Sequence, residues 1–411
     1  MRTTPPHLQQ AALAEFDNEV QAAFCQATGL LPDSIQWEQA TRGFARAGLG
    51  LRSTVRHSSA AYLASVGASQ AVSEQIFPEY IIDTVFNDSA PSIALDMFNV
   101  MLPDGKRMSS DAAFGASQKA LSDIFDEVAH DVRLATAETV DQATLLSECQ
   151  PGARAFFEAM PNKNLGLAVP PAEFVSELRT RLCMRERAAD AWCPLRDGIL
   201  DSRGHHSRMC CAGGDRTLRH NALRNYIFRV AMSAGLRPEL ERPGLLIPQM
   251  PDETGTERRR PADVYLPAWS AGSPAALDFA VTAPQRQEIV MQAARTGLAA
   301  AKAYSEHKKA HLNTQGLCSE AGIDFIPMVA ETSGAWAPSA MNVLKQMAAS
   351  VATCSGRKPE IVMQQILQNA AIRIRRANAR ATLRRAADSP EESEAVCQQS
   401  AARDVLDAPC D

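Results

Sequence analysis

Asp263 and Asp278 carry the first chemical question in this chain. They lie in RRPADVYLPAWSAGSPAALDFAV, residues 259–281, in two β-prone runs joined by a loop of Pro, Gly and Ser. Side chains alternate along a strand, so Asp278 and Ala280 share one face of LDFAV while Leu277, Phe279 and Val281 share the other. The same alternation suits the solvated side of an ordinary hairpin. Downstream, a helix expected over 285–312 presents Val290, Ala294, Leu298, Ala301 and Leu312 on one apolar face at 100° per residue. Gly297 shares that face, and Lys302 and Lys309 lie towards its edge, where their stems reach water. Lys308 projects near the middle. A lysine on a buried stripe is costly unless it meets an anion or lines a cleft, although its stem could also cap the stripe near the helix end. Two carboxylates with one lysine form a set suited to Mg²⁺, which takes oxygen ligands and bridges to phosphate. Such an ion activates water for attack on a phosphodiester and offsets the charge that develops there.

These groups need a scaffold, and the flanking sequence supplies candidates for one. Residues 1–180 read as helix after helix. LQQAALAEFDNEVQAAFCQA, HSSAAYLASVGASQAVSEQIF and AAFGASQKALSDIFDEVAHDV all carry apolar residues at three-to-four spacing. Pro and Gly punctuate them at LPDS, ARAGLGLR, MLPDGK and CQPGAR. From Leu178 to Asn221 the character changes, and Cys, His, Arg and Gly concentrate. A helix, ALRNYIFRVAMSAG, follows and is ended by Gly235 and Pro238. After the two aspartate runs and the lysine helix comes IDFIPMVAE, a strand over 323–331. Strand, helix and strand at these lengths imply a parallel crossover, so with the hairpin a small mixed sheet is expected. Helices over 337–354 and 358–387 complete the fold.

Composition excludes several classes. A formal net charge of -5 over 411 residues gives no global polycation, so any nucleic-acid footprint is local. The ten cysteines lack the rhythm of a secreted disulfide framework, which implies a reducing, intracellular compartment. No apolar run has the length of a membrane span or the form of a signal peptide, so no membrane partner is expected.

RPADV, LDFAV and YSEHKK together resemble the restriction-endonuclease-like domain, of the PD-(D/E)xK type, near the C-terminus of certain non-LTR retrotransposon reverse-transcriptase polyproteins. The resemblance implies that Asp263 and Asp278 are the two acidic metal ligands, with Ala262 inserted between Asp263 and Pro261. Ala280 stands where the usual lysine would be, and Lys308 matches the lysine that such retrotransposon domains carry on the following helix. Glu241 resembles an acidic residue contributed by the preceding helix. The family also carries a Cys-Cys-His-Cys knuckle. Cys193, His206 and Cys210 match its first, third and fourth zinc ligands, while Arg196 replaces the second. Cys183, His205 and Cys211 are the other nearby donors. Arg219 and His220 match an Arg-His element that implies phosphate contact at a helix start.

WEQATRGFARAGLGLRSTVRHSSAAYLASV, residues 37–66, is similar to the segment after the reverse-transcriptase palm in these polyproteins. The polymerase core is not in this sequence, so polymerase activity is not expected, and the chain resembles the C-terminal piece of an element. RIRRANARATLRR adds six arginines from Arg373 to Arg385, including Arg375 and Arg376, and Arg258 to Arg260 add a second cluster beside Asp263. Such patches follow a phosphate backbone, although a charge run also suits a solvated helix face.

The expected fold is α+β. It has a helical region over 1–180, a partial knuckle over 181–222 and a restriction-endonuclease-like domain over 223–390, whose mixed sheet is flanked by helices. An acidic tail follows over 391–411. The expected function is a retrotransposon-derived DNA endonuclease dependent on Mg²⁺ or Mn²⁺, active or decayed, with Zn²⁺ as a second metal and a nuclear location. The alternatives are a non-catalytic remnant that binds DNA or RNA, and a helical scaffold.

Overall fold

The computed structural model describes residues 2–80, 82, 88–246, 260–270 and 272–386. Arg258, Arg259 and the acidic tail over 391–411 lie outside the described residues. The chain divides into two units, Met1–Ala137 and Glu138–Asp411, so the helical region expected to run to 180 parts at Ala137.

The first unit is helical: α1 (Gln10–Thr28), α2 (Ser34–Thr41), α3 (Thr54–Ile76), α4 (Ala90–Val100), α5 (Ser110–Gly115) and α6 (Gln118–Thr136). Polar caps decide where the helices begin. Ser53, Ser89, Ser109 and Ser117 each accept a first-turn backbone N–H, and Asp33 with Gln36 forms a reciprocal capping box. The Ser117 cap explains why the periodic stretch over 112–132 is two helices rather than one. Leu63, Phe98, Leu121 and Phe125 form the core of this unit. Gly67 lets α3 approach α5 closely, because a Cβ there would lie 2.0 Å from the Phe114 carbonyl oxygen.

The second unit begins with α7 (Thr139–Glu148), α8 (Pro151–Arg154) and α9 (Pro171–Arg181). A short hairpin, β1 (Ala191–Trp192) and β2 (Ile199–Leu200), precedes α10 (His205–Met209) and α11 (Asp215–Ser233). Then come β3 (Glu239–Leu240), β4 (Val264–Ser270), β5 (Ser273–Thr282), α12 (Val290–Ala293), α13 (Ala299–Ala310) and α14 (Thr314–Glu320). β6 (Asp324–Glu331), α15 (Pro338–Ser355) and α16 (Pro359–Ala386) close the described fold. The sheet runs β3-β4-β5-β6. β3, β4 and β5 are antiparallel neighbours, and β5 and β6 are parallel with Asp278 opposite Pro327, so the expected mixed sheet and crossover are present. No helix among the described residues is long and apolar enough to cross a membrane.

Strand alternation sorts the two faces of this sheet. Val264, Leu266, Leu277, Phe279 and Met328 pack with Leu223 and Ile227 of α11, Leu344 and Met347 of α15, and Ile366 and Ile374 of α16. On the opposite face, Tyr265, Ala276 and Phe325 meet Cys318 of α14, while Ala280 and Val329 meet Ala301 and Tyr304 of α13. By the same alternation Asp263 and Asp278 belong to the α13 side.

The long helix expected over 285–312 is interrupted. Leu298 takes a left-handed backbone, φ +64°, between α12 and α13, and Leu312, expected on the buried stripe, is 64% exposed with φ +50°. The residue before α13 supplies no side-chain cap. Instead Glu331, at the end of β6 and fully buried, accepts the Ala301 N–H on Oε1 at 3.2 Å. Ser147 donates to its Oε2 at 2.5 Å. A carboxylate at a helix N-terminus satisfies orphan donors and meets the positive end of the helix dipole. A tertiary cap therefore sets where α13 starts, which local periodicity does not reveal.

Candidate functional site

Asp263 sits just before β4, clamped by both neighbouring strands. Its N–H donates to the Leu277 carbonyl at 2.9 Å, and its own carbonyl accepts the Glu241 N–H at 3.1 Å. In its carboxylate, Oδ2 accepts the Phe279 N–H at 2.6 Å and Oδ1 lies 3.2 Å from His220 Nε2. Asp278 stands one strand away on the same face. Its Oδ2 accepts from Lys308 Nζ at 2.6 Å, and its carboxyl is within hydrogen-bonding reach of that of Asp263. Despite the interruption of the helix, α13 aims Lys308 at the acidic pair. The side chains of Lys308, Asp278 and Asp263 are 17%, 25% and 20% exposed, so the cluster is partly dehydrated rather than a surface hairpin's loose charges.

This setting drives the two carboxyls apart. Burial pushes Asp278 up to about 6, helped by the neighbouring Asp263 and opposed by the Lys308 ammonium. Burial also acts to raise Asp263. The hydrogen bond and charge of His220, the Phe279 N–H and Lys308 outweigh it and hold Asp263 below the usual carboxylate value. Two carboxyls this close share a proton or take a cation between them. Asp263 is engaged on both oxygens and Asp278 on Oδ2, and the lone pairs that remain suit a hard divalent ion that keeps water in its other positions. An open cleft of about 380 Å³ lies beside the pair, lined by Arg216, His220, Phe279, Ala280, Tyr304 and Lys308 among others.

The remaining expected site residues are placed differently. Glu241 follows the short strand β3, with φ +45°, rather than a helix, and its carboxylate is held by Arg224 and by Arg260 at 3.0 Å. It does not form a three-ligand cluster with the aspartates. Arg260 is exposed and bound to Glu241. α11 begins at Asp215, four residues before Arg219, so neither Arg219 nor His220 lies at its start. Arg219 is buried, donates to the Arg208 carbonyl at 2.9 Å and Asn378 Oδ1 at 2.6 Å, and is pushed down to about 10 by burial. It also contributes to the lining of the cleft beside the acidic pair. His220 holds Asp263 instead, a pairing of residues 43 apart that has no local signature.

Arg375 and Arg376 also turn inward. Arg375 is fully buried and joins Glu148 at 2.5 Å and Glu177 at 2.8 Å, while Arg181 reaches the same Glu148 oxygen at 2.8 Å. Arg376 donates to Glu173 at 2.8 Å. The run of arginines is neither wholly a solvated face nor wholly a phosphate track, because these two members neutralise carboxylates carried by α7 and α9.

Cys193, His206 and Cys210 do converge, their ligand atoms all lying within 4.8 Å of one another. Cys193 follows β1 and is fixed across the hairpin by its N–H to the Gly198 carbonyl at 2.9 Å; His206 lies on α10, and Cys210 caps the end of that helix. Burial acts to raise the Cys193 thiol. The Leu195 and Arg196 N–H groups, Cys210 and Arg385 more than offset it and favour the thiolate. His206 Nε2 is buried without a hydrogen-bond partner. Two sulfurs and an imidazole suit zinc, and an orphaned ring nitrogen beside them fits that reading. Arg196 donates to Cys211 Sγ at 2.9 Å, and neither Cys211, Cys183 nor His205 joins the cluster as a fourth ligand. Compared with known proteins, the chain matches no family model and no curated protein.

Proposed function

We propose that Asp263, Asp278 and Lys308 form the centre of a DNA endonuclease dependent on Mg²⁺ or Mn²⁺, a retroelement-derived hydrolase of phosphodiesters. The observation that carries the reading is the lysine beside a close carboxylate pair. Lys308 Nζ meets Asp278 at 2.6 Å, Asp278 lies within hydrogen-bonding reach of Asp263, and Lys308 itself lines an open cleft. Asp263 and Asp278 would hold the ion, which when bound supplies an activated water and offsets charge on the phosphodiester. His220 and the Phe279 N–H fix the Asp263 carboxylate, so the ligand pair is oriented before substrate arrives. Lys308 Nζ can turn from Asp278 to an incoming phosphate oxygen and offset the negative charge that develops there. Arg216, exposed on the cleft wall, gives the substrate backbone a first contact.

The Cys193, His206 and Cys210 cluster would hold Zn²⁺ as a structural element of the β1–β2 hairpin and α10. The deciding experiment is plasmid nicking with Mg²⁺ or Mn²⁺ by wild type, Asp263→Ala and Lys308→Ala. Cleavage by wild type alone supports the reading. Equal cleavage by all three proteins places the activity elsewhere, and DNA binding without cleavage by wild type favours a non-catalytic nucleic-acid-binding protein.

A further inference from the structure

A second charged feature lies between α11 and α16, apart from the acidic pair. Leu218, Ala222, Asn225 and Arg229 recur at i, i+4, i+7 and i+11 and fall on one face of α11, about 140–180° around the helix from His220. They face Arg373, Arg376 and Arg380 of α16 across a cleft of about 250 Å³. Four guanidiniums line this cleft, and no Asp or Glu does. Several of the arginines are held in place. The Arg373 guanidinium lies 4.3 Å from the centre of the Tyr226 ring and donates to Asn369 Oδ1 at 2.9 Å. Arg376 and Arg380 are both tied to Glu173, at 2.8 Å and 3.6 Å. Arg229 is exposed and makes no ion pair or hydrogen bond among the described residues.

We propose that this cleft is a phosphate-binding site. Guanidiniums recognise phosphate through paired, charge-assisted hydrogen bonds. Here three of them are oriented by other contacts, so less order remains to be imposed when an anion enters. Asn225 adds an amide to the same wall. The arginines that the sequence pattern marks for nucleic acid, Arg375 and Arg376, are mostly committed to internal carboxylates. On this cleft Arg376 and Arg380 share Glu173, Arg373 is braced by Tyr226 and Asn369, and Arg229 is exposed opposite them. The site does not depend on the endonuclease reading, because it shares no residue with the cleft beside Asp263.

Arg229→Glu tests the proposal in the full-length protein, since an exposed side chain without partners can be reversed without disturbing the fold. The probes are pyrophosphate by calorimetry and a labelled single-stranded oligonucleotide by anisotropy across a salt series. Wild type is expected to bind pyrophosphate, and the variant roughly tenfold more weakly. If the natural source is a nucleic-acid backbone, the oligonucleotide also loses affinity, with a shallower salt slope, and pyrophosphate competes with it. If the oligonucleotide is unaffected while pyrophosphate binding falls, the cleft takes small phosphate-bearing ligands. Failure of wild type to bind pyrophosphate, or unchanged affinity for both probes in Arg229→Glu, overturns the site. Asp278→Asn, run in parallel, should lose nicking while binding pyrophosphate as wild type does, so loss of nicking and loss of this site are told apart.

Discussion

Glu331 accepts the Ala301 N–H at 3.2 Å across the β5–α13–β6 crossover, so the last residue of a strand caps the first turn of the helix that carries Lys308. The same carboxyl is bonded by Ser147, whose hydroxyl also lies 2.6 Å from Ser333 Oγ. Glu331 is held above its ordinary value by burial and is among the most secluded acids in the unit. It touches neither aspartate, yet it determines the point from which α13 aims Lys308 at Asp278.

Removing that cap should therefore affect both stability and the lysine. Glu331→Ala leaves a buried helix end without its acceptor and takes from Ser147 its carboxylate partner, and should cost about 2–4 kcal/mol in urea denaturation. Glu331→Gln keeps an acceptor oxygen and should recover at least half of that loss. If Ala and Gln behave alike, the cap is not what the residue supplies.

The acidic pair gives a stability slope with a defined sign in protein freed of metal with EDTA. Asp278 is raised from 3.8 to about 6, so the folded chain holds more protons than the unfolded chain between those values. Its contribution is whole below pH 3.8 and is lost as pH rises through about 6. Asp263, lowered instead, contributes stability above pH 3.8 that disappears only as pH falls below it. Relative to Asp278→Asn, wild type should lose on the order of 2 kcal/mol between pH 4 and pH 7. Parallel slopes for the two proteins would show that Asp278 titrates normally.

Zinc affinity offers a third check. With three ligands, the Cys193 cluster should bind one zinc per chain and lose it readily to a chelator, and Cys210→Ser should abolish binding. Arg196→Cys adds a third sulfur, and so a fourth ligand, at the CxxC position of a hairpin whose backbone already donates to Cys193 Sγ. Competition with a chromogenic chelator should show the variant holding zinc at least about tenfold more tightly, because structural zinc sites close with four ligands. Equal affinity would mean that position 196 cannot reach the metal.

Arg375→Ala should be among the most damaging single changes in the second unit. It strips Glu148 and Glu177 of their shared guanidinium in a site with no exposure, a loss of about 3–5 kcal/mol for a broken buried pair. Arg229→Ala, at the surface, should change stability by less than about 0.5 kcal/mol. Thermal melts of the two variants compare these directly, and similar melting temperatures would refute the assignment of Arg375 to the core.

The sequence by itself determined what depends on neighbours along the chain. The alternation in LDFAV assigns Asp278 to the face opposite Leu277 and Phe279, and the α13 periodicity marks Lys308 as misplaced on an apolar stripe. The β5–α13–β6 order follows from element lengths. The clustering of Cys193, His206 and Cys210 was also legible from their motif. Tertiary structure alone decided which charges are spent on one another. Glu148 meets Arg375 across 227 positions, and no local window contains both. A run of arginines reads as solvated or nucleic-acid-facing because water is the default partner of a charge, and only distant carboxylates make burial affordable. The same physics joined His220 to Asp263 and broke the long helix at Leu298. In each case the deciding hydrogen bond was supplied by a residue brought near through folding, not by one near in sequence.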